Sequence, residues 1–162
     1  MKCIVFLVLL FLTTSIANAD CWKFAAQKSG VEVRLLKSIA QVESGMDPSV
    51  VGKNNNGSRD FGLMQINSTH LGWLGKHGIN ESMLVKDPCV SVLVGAAILK
   101  NMVNIYGYGW EAVGAYNAGA GKNKHRLRMK YARKVWGIYR QSSRENILIP
   151  LKDSHRNIAL LR

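Results

Sequence analysis

Cysteine is scarce in this chain, with three residues among 162. Cys3 lies close to the N-terminus, which leaves Cys21 and Cys89 for the body of the protein. No cluster of further cysteines or histidines has the spacing of metal ligands, so the sequence gives no support for a zinc site and implies no cofactor. No Pro/Gly/Ser-rich linker, internal repeat or low-complexity segment divides the chain. A single domain fits this length, since domains commonly have about 100–200 residues.

The N-terminal apolar stretch is too short to span a membrane. Lys2 precedes a nearly continuous apolar run over residues 3–16, and Ala17-Asn18-Ala19 matches an A-x-A cleavage site. This layout predicts a secretory signal peptide over residues 1–19. Because a spanning helix needs roughly 20 apolar residues, we expect cleavage after Ala19 and no stable membrane anchor afterwards.

Export would place Cys21 and Cys89 in an oxidising compartment, where two thiols usually form a disulfide. Such a bond would tie the N-terminus of the mature chain to its middle. Closing a loop of this length stabilises a fold by roughly 4 kcal/mol in the chain-entropy model. The alternative, two buried and unpaired thiols, stays open at this point.

Acidic residues are heavily outnumbered, with 10 Asp and Glu against 22 Lys and Arg, for a formal net charge of +12. Lys2 is the one charged residue of the signal segment, so its removal leaves +11. A balance this positive suits a polyanionic partner such as nucleic acid, a lipid surface or an acidic cell-wall polymer. Export argues against nucleic acid.

The pattern of apolar residues predicts a mainly helical protein. Gly45 and Gly119 mark helix ends, and Pro88 marks a helix start. The residues from 46 to 59 have turn chemistry, and Phe61–Asn67 reads as extended, which suggests a small β-hairpin. The helices are expected at residues 21–29, 32–44, 88–106, 110–118 and 124–142.

The last segment differs in kind from the body. Residues 144–162 mix apolar side chains with Arg, Lys and His. This change of composition predicts a body over residues 20–143 and a basic, partly apolar tail over residues 144–162. The pattern leaves open whether this tail packs on the body, folds on a partner or stays loose.

Glu43 lies on the apolar side of the second predicted helix. The face that runs through Leu36, Ile39 and Ala40 reaches Glu43 at its next step, just before Gly45. Burial and the negative end of the helix dipole both raise the pKa of a carboxyl group in such a position. A carboxylic acid that keeps its proton near neutral pH is suited to general acid catalysis of glycosidic bond cleavage. On position alone, a helix-end Glu that forms an ion pair with a Lys or Arg is the more common alternative.

Further motifs follow Glu43-Ser44 in a fixed order. Gly62-Leu63-Met64-Gln65 comes next, then Ala115-Tyr116-Asn117-Ala118-Gly119, and then Tyr131 with Val135. Their order and spacing resemble the soluble lytic transglycosylases, a family with a lysozyme-like catalytic domain, over about residues 21–140.

The resemblance implies a mainly α (α+β), lysozyme-like fold with a small β-hairpin beside an elongated groove for peptidoglycan glycan strands. In this family one Glu protonates the oxygen between N-acetylmuramic acid and N-acetylglucosamine, and the muramic 6-hydroxyl then closes a 1,6-anhydro ring. Because Glu43 matches the Glu of the family's motif, we expect Glu43 to act as both the general acid and the general base. The residues expected to bind substrate are Ser44, Met64, Gln65, Asn67, Tyr116, Asn117 and Tyr131. Tyr116 and Tyr131 have the alternative role of orienting Glu43.

Some of these residues have a simpler structural interpretation. Leu63 and Met64 are of types that more often pack in a core, and Gly119 suits a helix C-cap. The four tryptophans are able to stack on sugars, although such large rings more often anchor a core. They are Trp22, Trp73, Trp110 and Trp136.

The segment from Asn56 to Ser68 resembles the loop and hairpin of animal-type lysozymes, in which an Asp at the position of Asp60 is the second carboxylate. A charged Asp60 beside a protonated Glu43 would stabilise an oxocarbenium-like transition state or act as a nucleophile. A turn hydrogen bond is the simpler role for Asp60. A lysozyme-like hydrolase is therefore the alternative to a transglycosylase, and a non-catalytic glycan-binding assembly protein is a third reading.

The resemblance also implies a setting. Small exported transglycosylases of this type open the wall for secretion machines, pili or conjugation apparatus. We therefore expect a periplasmic monomer that acts on peptidoglycan, with a component of such a machine as a possible partner and with no role for nucleic acid.

Overall fold

The computed structural model describes the backbone of residues 20–158 and the side chains of residues 20–142. The expected signal peptide, residues 1–19, lies outside the described residues, as do residues 159–162. The first helix, α1, covers residues 20–29. The other helices are α2 (Val33–Ser44), α3 (Leu71–Gly75), α4 (Glu81–Lys86), α5 (Pro88–Tyr106), α6 (Trp110–Ala118) and α7 (His125–Ile158), with a 3-10 turn at Ser68–His70. The strands are β1 (Val51–Lys53), β2 (Arg59–Phe61) and β3 (Ile66–Asn67). The prediction of a mainly helical protein with a small antiparallel sheet is confirmed.

Helix α5 is the central helix of the core. It begins where the sequence predicts, because Pro88 occupies its first turn and the Asp87 carboxylate accepts hydrogen bonds from the backbone N–H groups of Cys89 and Val90. A window of 18 of its 19 residues has a mean hydropathy of 1.6, which by composition alone would suit a membrane span. Its side chains Val92, Val94 and Leu99 are instead buried in the hydrophobic core of the domain.

The small sheet lies beside this core in the order β1-β2-β3, with both pairs antiparallel. Asp60 on β2 is opposite Gly52 on β1 and Asn67 on β3. The residue pattern predicted extended structure at Phe61–Asn67 and read residues 46–59 as turn, while the resemblance to animal-type lysozymes placed a loop and hairpin over Asn56–Ser68. That boundary was wrong, since residues 51–53 form β1 and pair with β2.

The elements between the sheet and α5 were not predicted. The 3-10 turn, α3 and α4 have between three and six residues each, too few for an apolar repeat to become visible. Their N-terminal signals are nonetheless present. Asn67 and Asn80 accept hydrogen bonds from the backbone N–H groups of Thr69 and Met83 at the starts of the 3-10 turn and α4.

The last helix continues beyond its predicted end. It starts at His125 but runs through Ile158, so it includes most of the basic, partly apolar tail. No glycine or proline lies between residues 138 and 149, so the sequence has no helix breaker near residue 142. The boundary between body and tail stays a prediction.

Cys21 and Cys89 form a disulfide in the structure. It joins α1 to the first turn of α5 across a sequence separation of 68 residues. The bond therefore fixes the N-terminal helix against the central helix of the core.

We expect the variant Cys21→Ser/Cys89→Ser to lose about 4 kcal/mol of unfolding free energy, because its unfolded chain is no longer constrained by a long loop. Urea unfolding of the chain from Asp20 onward measures this loss. Reducing agent should destabilise the parent protein by the same amount and leave the variant unchanged. An identical urea midpoint for variant and oxidised parent would contradict the prediction.

Candidate active site

Glu43 occupies the last turn of α2, where the helix meets a cleft. Leu36, Ile39 and Ala40, on the same face, are completely buried, and they carry the apolar stripe up to Glu43. The helix then ends at Gly45, which adopts a left-handed conformation (φ 65°) and donates its N–H to the carbonyl of Gln41. The helix end thus leaves the Glu43 carboxyl partly buried at the wall of the cleft.

The surroundings of Glu43 favour its protonated form. Burial raises the pKa of the Glu43 carboxyl to about 7, and the negative charge of Asp60 acts in the same direction. Two groups oppose this shift: the Tyr131 hydroxyl, which donates a hydrogen bond to Glu43 Oε1 at 2.5 Å, and the Lys134 ammonium group. The sequence predicted the effect of burial but not the contribution of Asp60.

Asp60 lines the same cleft from the sheet. Its Oδ2 accepts a hydrogen bond from the Asn54 side-chain amide at 2.8 Å, and its Oδ1 accepts one from Asn67 at 2.7 Å. Both amides also donate to the Ser58 hydroxyl, at 3.0 and 3.1 Å. The carboxylate is therefore held by neutral donors rather than by a cation, and it both makes turn hydrogen bonds and faces the cleft.

Asn54 and Ser58 are cleft residues that sequence reasoning missed. The run of asparagines before Gly57 was interpreted only as turn chemistry. The signal available was the register, since a turn at residues 54–58 places its polar side chains beside Asp60 on the next strand. His70 also lines the cleft and carried no recognisable signal.

Gln65 lines the cleft from the turn before β3. Its backbone is left-handed (φ 47°), and its side-chain amide donates to the carbonyls of Gly62 at 2.8 Å and Val50 at 3.0 Å. Both amide hydrogens are thus used to fix the turn against the strand before it. The carbonyl oxygen of the side chain remains as an acceptor at the cleft wall.

The structure places two of the expected substrate-binding residues, Met64 and Ser44, outside the cleft lining. The Met64 side chain is completely buried and packs towards Gly95 of α5, so it cannot touch a ligand in the cleft. The Ser44 hydroxyl donates to the carbonyl of Leu63 at 2.8 Å and is not part of the cleft wall. Both residues position the turn that carries Gln65, Ser44 through its hydrogen bond to Leu63 and Met64 through its packing on α5.

Tyr116 and Asn117 bring α6 to the site. The Tyr116 hydroxyl donates to the carbonyl of Met64 at 2.7 Å, which ties α6 to the turn before β3. Burial raises the pKa of Tyr116 well above its usual range, so its hydroxyl keeps its proton. The Asn117 side chain is exposed and lines the cleft, where its amide is available to a ligand.

The cleft has two lobes that meet at Glu43. The larger, of about 730 Å³, lies between the sheet and α6 and contains Asp60 and Gln65. The smaller, of about 460 Å³, lies along α7 and contains Tyr131 and Lys134. The residues common to both are Glu43, Asn117 and Ala118. A chain molecule that filled both lobes would therefore pass directly over the Glu43 carboxyl.

The tryptophans do not contribute to this cleft. Trp22 is buried, while Trp110 and Trp136 pack edge to face at 5.0 Å within a separate aromatic cluster that includes Tyr139. Trp73 is exposed beside His77, and none of the four lines either lobe.

Comparison with known proteins agrees with this geometry. The family model described as the transglycosylase SLT domain matches residues 20–138. The chain belongs to the transglycosylase SLT domain family. The protein is therefore a peptidoglycan lytic transglycosylase.

Relatives and a solved structure extend the comparison. The invasion protein IagB of Salmonella typhimurium is 51% identical over 83% of this chain and 84% of its own length. Protein IpgF of Shigella flexneri is 44% identical over 88% of this chain and 93% of its own length. The lytic transglycosylase Slt of Pseudomonas aeruginosa superimposes with a TM-score of 0.58 at 21% identity, over 76% of this chain but only 23% of that larger chain. The likeness to Slt confirms the predicted lysozyme-like fold.

Two substitutions in this transglycosylase should move the pKa of Glu43 in opposite directions. Asp60→Asn removes a negative charge that raises the pKa, so we expect a value below about 7. Tyr131→Phe removes a hydrogen bond that lowers the pKa, so we expect a value above about 7. Carbon-13 NMR titration of the Glu43 carboxyl group measures both shifts. Shifts of the same sign in the two variants would contradict this account of the site.

Proposed function

We propose that this enzyme cleaves the β-1,4 bond between N-acetylmuramic acid and N-acetylglucosamine with formation of 1,6-anhydro-N-acetylmuramic acid. The observation that carries the proposal is the position of Glu43, a carboxyl with a pKa of about 7 at the junction of two cleft lobes. The elongated shape of the two lobes together suits a glycan strand.

The reaction uses Glu43 twice. The protonated carboxyl first donates its proton to the glycosidic oxygen, whose bond to the muramic anomeric carbon breaks as positive charge develops on the sugar. The resulting carboxylate then removes the proton of the muramic 6-hydroxyl, and that oxygen bonds to the anomeric carbon. Glu43 is protonated again at the end, and no water is consumed. A pKa of about 7 suits a group that gives and takes a proton near neutral pH.

The other cleft residues support these steps. Tyr131 orients the Glu43 carboxyl through its hydrogen bond. Asn117 and the Gln65 side-chain oxygen are positioned for the N-acetyl and hydroxyl groups of the sugars. Asp60, fixed by two amides, stabilises the positive charge that develops on the ring, because a nearby negative charge favours an oxocarbenium-like transition state.

A muramidase reaction with water as the nucleophile is the second candidate, and Asp60 favours it. A second carboxylate in the same cleft as the acid is the arrangement that hydrolytic glycosidases use. The two candidates leave different ends on the product. Anhydro-muramic ends come from the transglycosylase, and reducing ends come from the hydrolase.

Glu43→Gln should abolish cleavage of purified sacculi while the fold is kept, because an amide cannot donate the proton and then accept it back. Mass spectrometry of the digest measures released products, and circular dichroism checks the fold. The parent enzyme should release anhydro-muramic ends. Reducing ends instead would replace the first candidate by the second, and clear turnover by folded Glu43→Gln would remove Glu43 from its role.

If Asp60 stabilises the developing charge, Asp60→Asn should reduce the rate by about 10- to 100-fold. This loss is smaller than the loss of about 100- to 1000-fold that follows removal of one oxyanion-hole donor. Because activity needs protonated Glu43, it should decline as the pH rises through about 7. The decline should begin at lower pH in Asp60→Asn, since the charge that raises the pKa is gone. Rate measurements from pH 5 to 9 test this prediction, and an unchanged rate and profile would limit Asp60 to a structural role.

We further propose that the enzyme is exported, keeps the Cys21–Cys89 disulfide and acts in the periplasm beside a larger machine. A peptidoglycan substrate lies outside the cytoplasm, and a disulfide is typical of exported proteins. The Salmonella relative IagB is named as an invasion protein. This name is consistent with the proposed role, in which the enzyme opens the cell wall locally for a secretion system, a pilus or a conjugation apparatus.

A further inference from the structure

The lobe of the cleft along α7 has a different charge from the rest of the site. Its lining includes Lys130 and Lys134, and the one acid in that lining is Glu43. The larger lobe instead contains Asp60 and several neutral amides, with Lys124 as its one lysine and His70 beside them. The two ends of the cleft are therefore suited to substrate groups of different charge.

The two lysines lie one helical turn apart on the same side of α7. Like charges at this spacing repel each other and weaken a helix. Among the described residues, neither side chain forms an ion pair or a hydrogen bond with the protein. Two nearby cations are held by the protein, since Lys124 donates a hydrogen bond to the carbonyl of Ala118 at 2.8 Å and Arg128 pairs with Glu111. The positive charge of the lobe is therefore left available to a ligand.

The glycan strand of the proposed substrate has a neutral backbone of N-acetylated sugars. Its negative charges lie on the substituent of each muramyl sugar, either as the lactyl carboxylate or as the carboxylates of the attached peptide. Such a group would meet both Asp60 and Lys124 in the larger lobe, but two lysine ammonium groups in the smaller one. The stronger attraction in the smaller lobe would orient the strand.

We propose that Lys130 and Lys134 bind a carboxylate of the muramyl substituent that lies on the α7 side of Glu43. This assignment rests on the proposed function, because it requires a peptidoglycan strand in the cleft. The two lysines thereby determine specificity for muramyl strands over neutral chitin chains. Their long, exposed side chains have three donors each and suit a carboxylate of either origin.

Binding measurements in a Glu43→Gln background test the assignment without turnover, since the amide stands in for the protonated acid. The probes are muramyl strands with peptide stems, the same strands after amidase treatment, which leaves lactyl carboxylates, and chito-oligosaccharides of equal length. The test variant is Lys130→Gln/Lys134→Gln. The matched control is Lys76→Gln/Lys86→Gln, which removes the same charge from exposed positions outside the cleft.

We expect the test variant to bind anionic strands about three- to tenfold more weakly and chito-oligosaccharides unchanged, as suits partly exposed ion pairs. The control should bind all three probes like the parent. A loss confined to strands with stems identifies the peptide carboxylates, and a loss confined to amidase-treated strands identifies the lactyl carboxylate.

Equal losses in test variant and control would overturn the assignment, because the protein's general positive charge would then explain the binding. Unchanged binding of the test variant to both anionic strands would overturn it as well. Failure of the proposed function is separate: the parent would form no anhydro products, while the difference between anionic and neutral probes would persist.

Discussion

The site depends on keeping one carboxyl group partly away from water. Glu43 reaches this position because the buried stripe of α2 continues to the last turn before Gly45. Helix α7 covers the carboxyl from the other side and supplies the Tyr131 hydroxyl, 88 residues later in the chain. Burial without a full counter-charge raises the pKa of Glu43 to about 7, and the direct hydrogen bond limits the shift.

The turn from Gly62 to Gln65 connects this acid to the rest of the cleft. Its backbone receives the hydroxyl of Ser44 from α2 and that of Tyr116 from α6, and its Met64 N–H donates to Ser91 of α5. Gly62 is required because its φ is 72° and a Cβ there would lie 1.9 Å from the carbonyl oxygen of Leu84. The Gly-Leu-Met-Gln motif thus acts mainly by fixing three helices around the sheet, and only its last residue reaches the cleft.

The long helices were predictable from the sequence because their signals are local. Pro88 begins α5 and Gly119 ends α6, and both boundaries agree with the structure. Strand β1 and the short helices were missed because three to six residues are too few to show a period. The predicted helix end near residue 142 was wrong because the surrounding residues contain no helix breaker.

The sequence by itself determined that Glu43 ends an apolar stripe, because helical periodicity is a local property of the chain. Through the resemblance of residues 56–68 to animal-type lysozymes, it also singled out Asp60 as a candidate second carboxylate. Tertiary structure alone decided that Asp60 is held by Asn54 and Asn67, that Met64 faces the core, and that Lys134 shares a lobe with Glu43. These facts arise where separate elements meet, and contacts between distant segments leave no regular pattern in a single sequence.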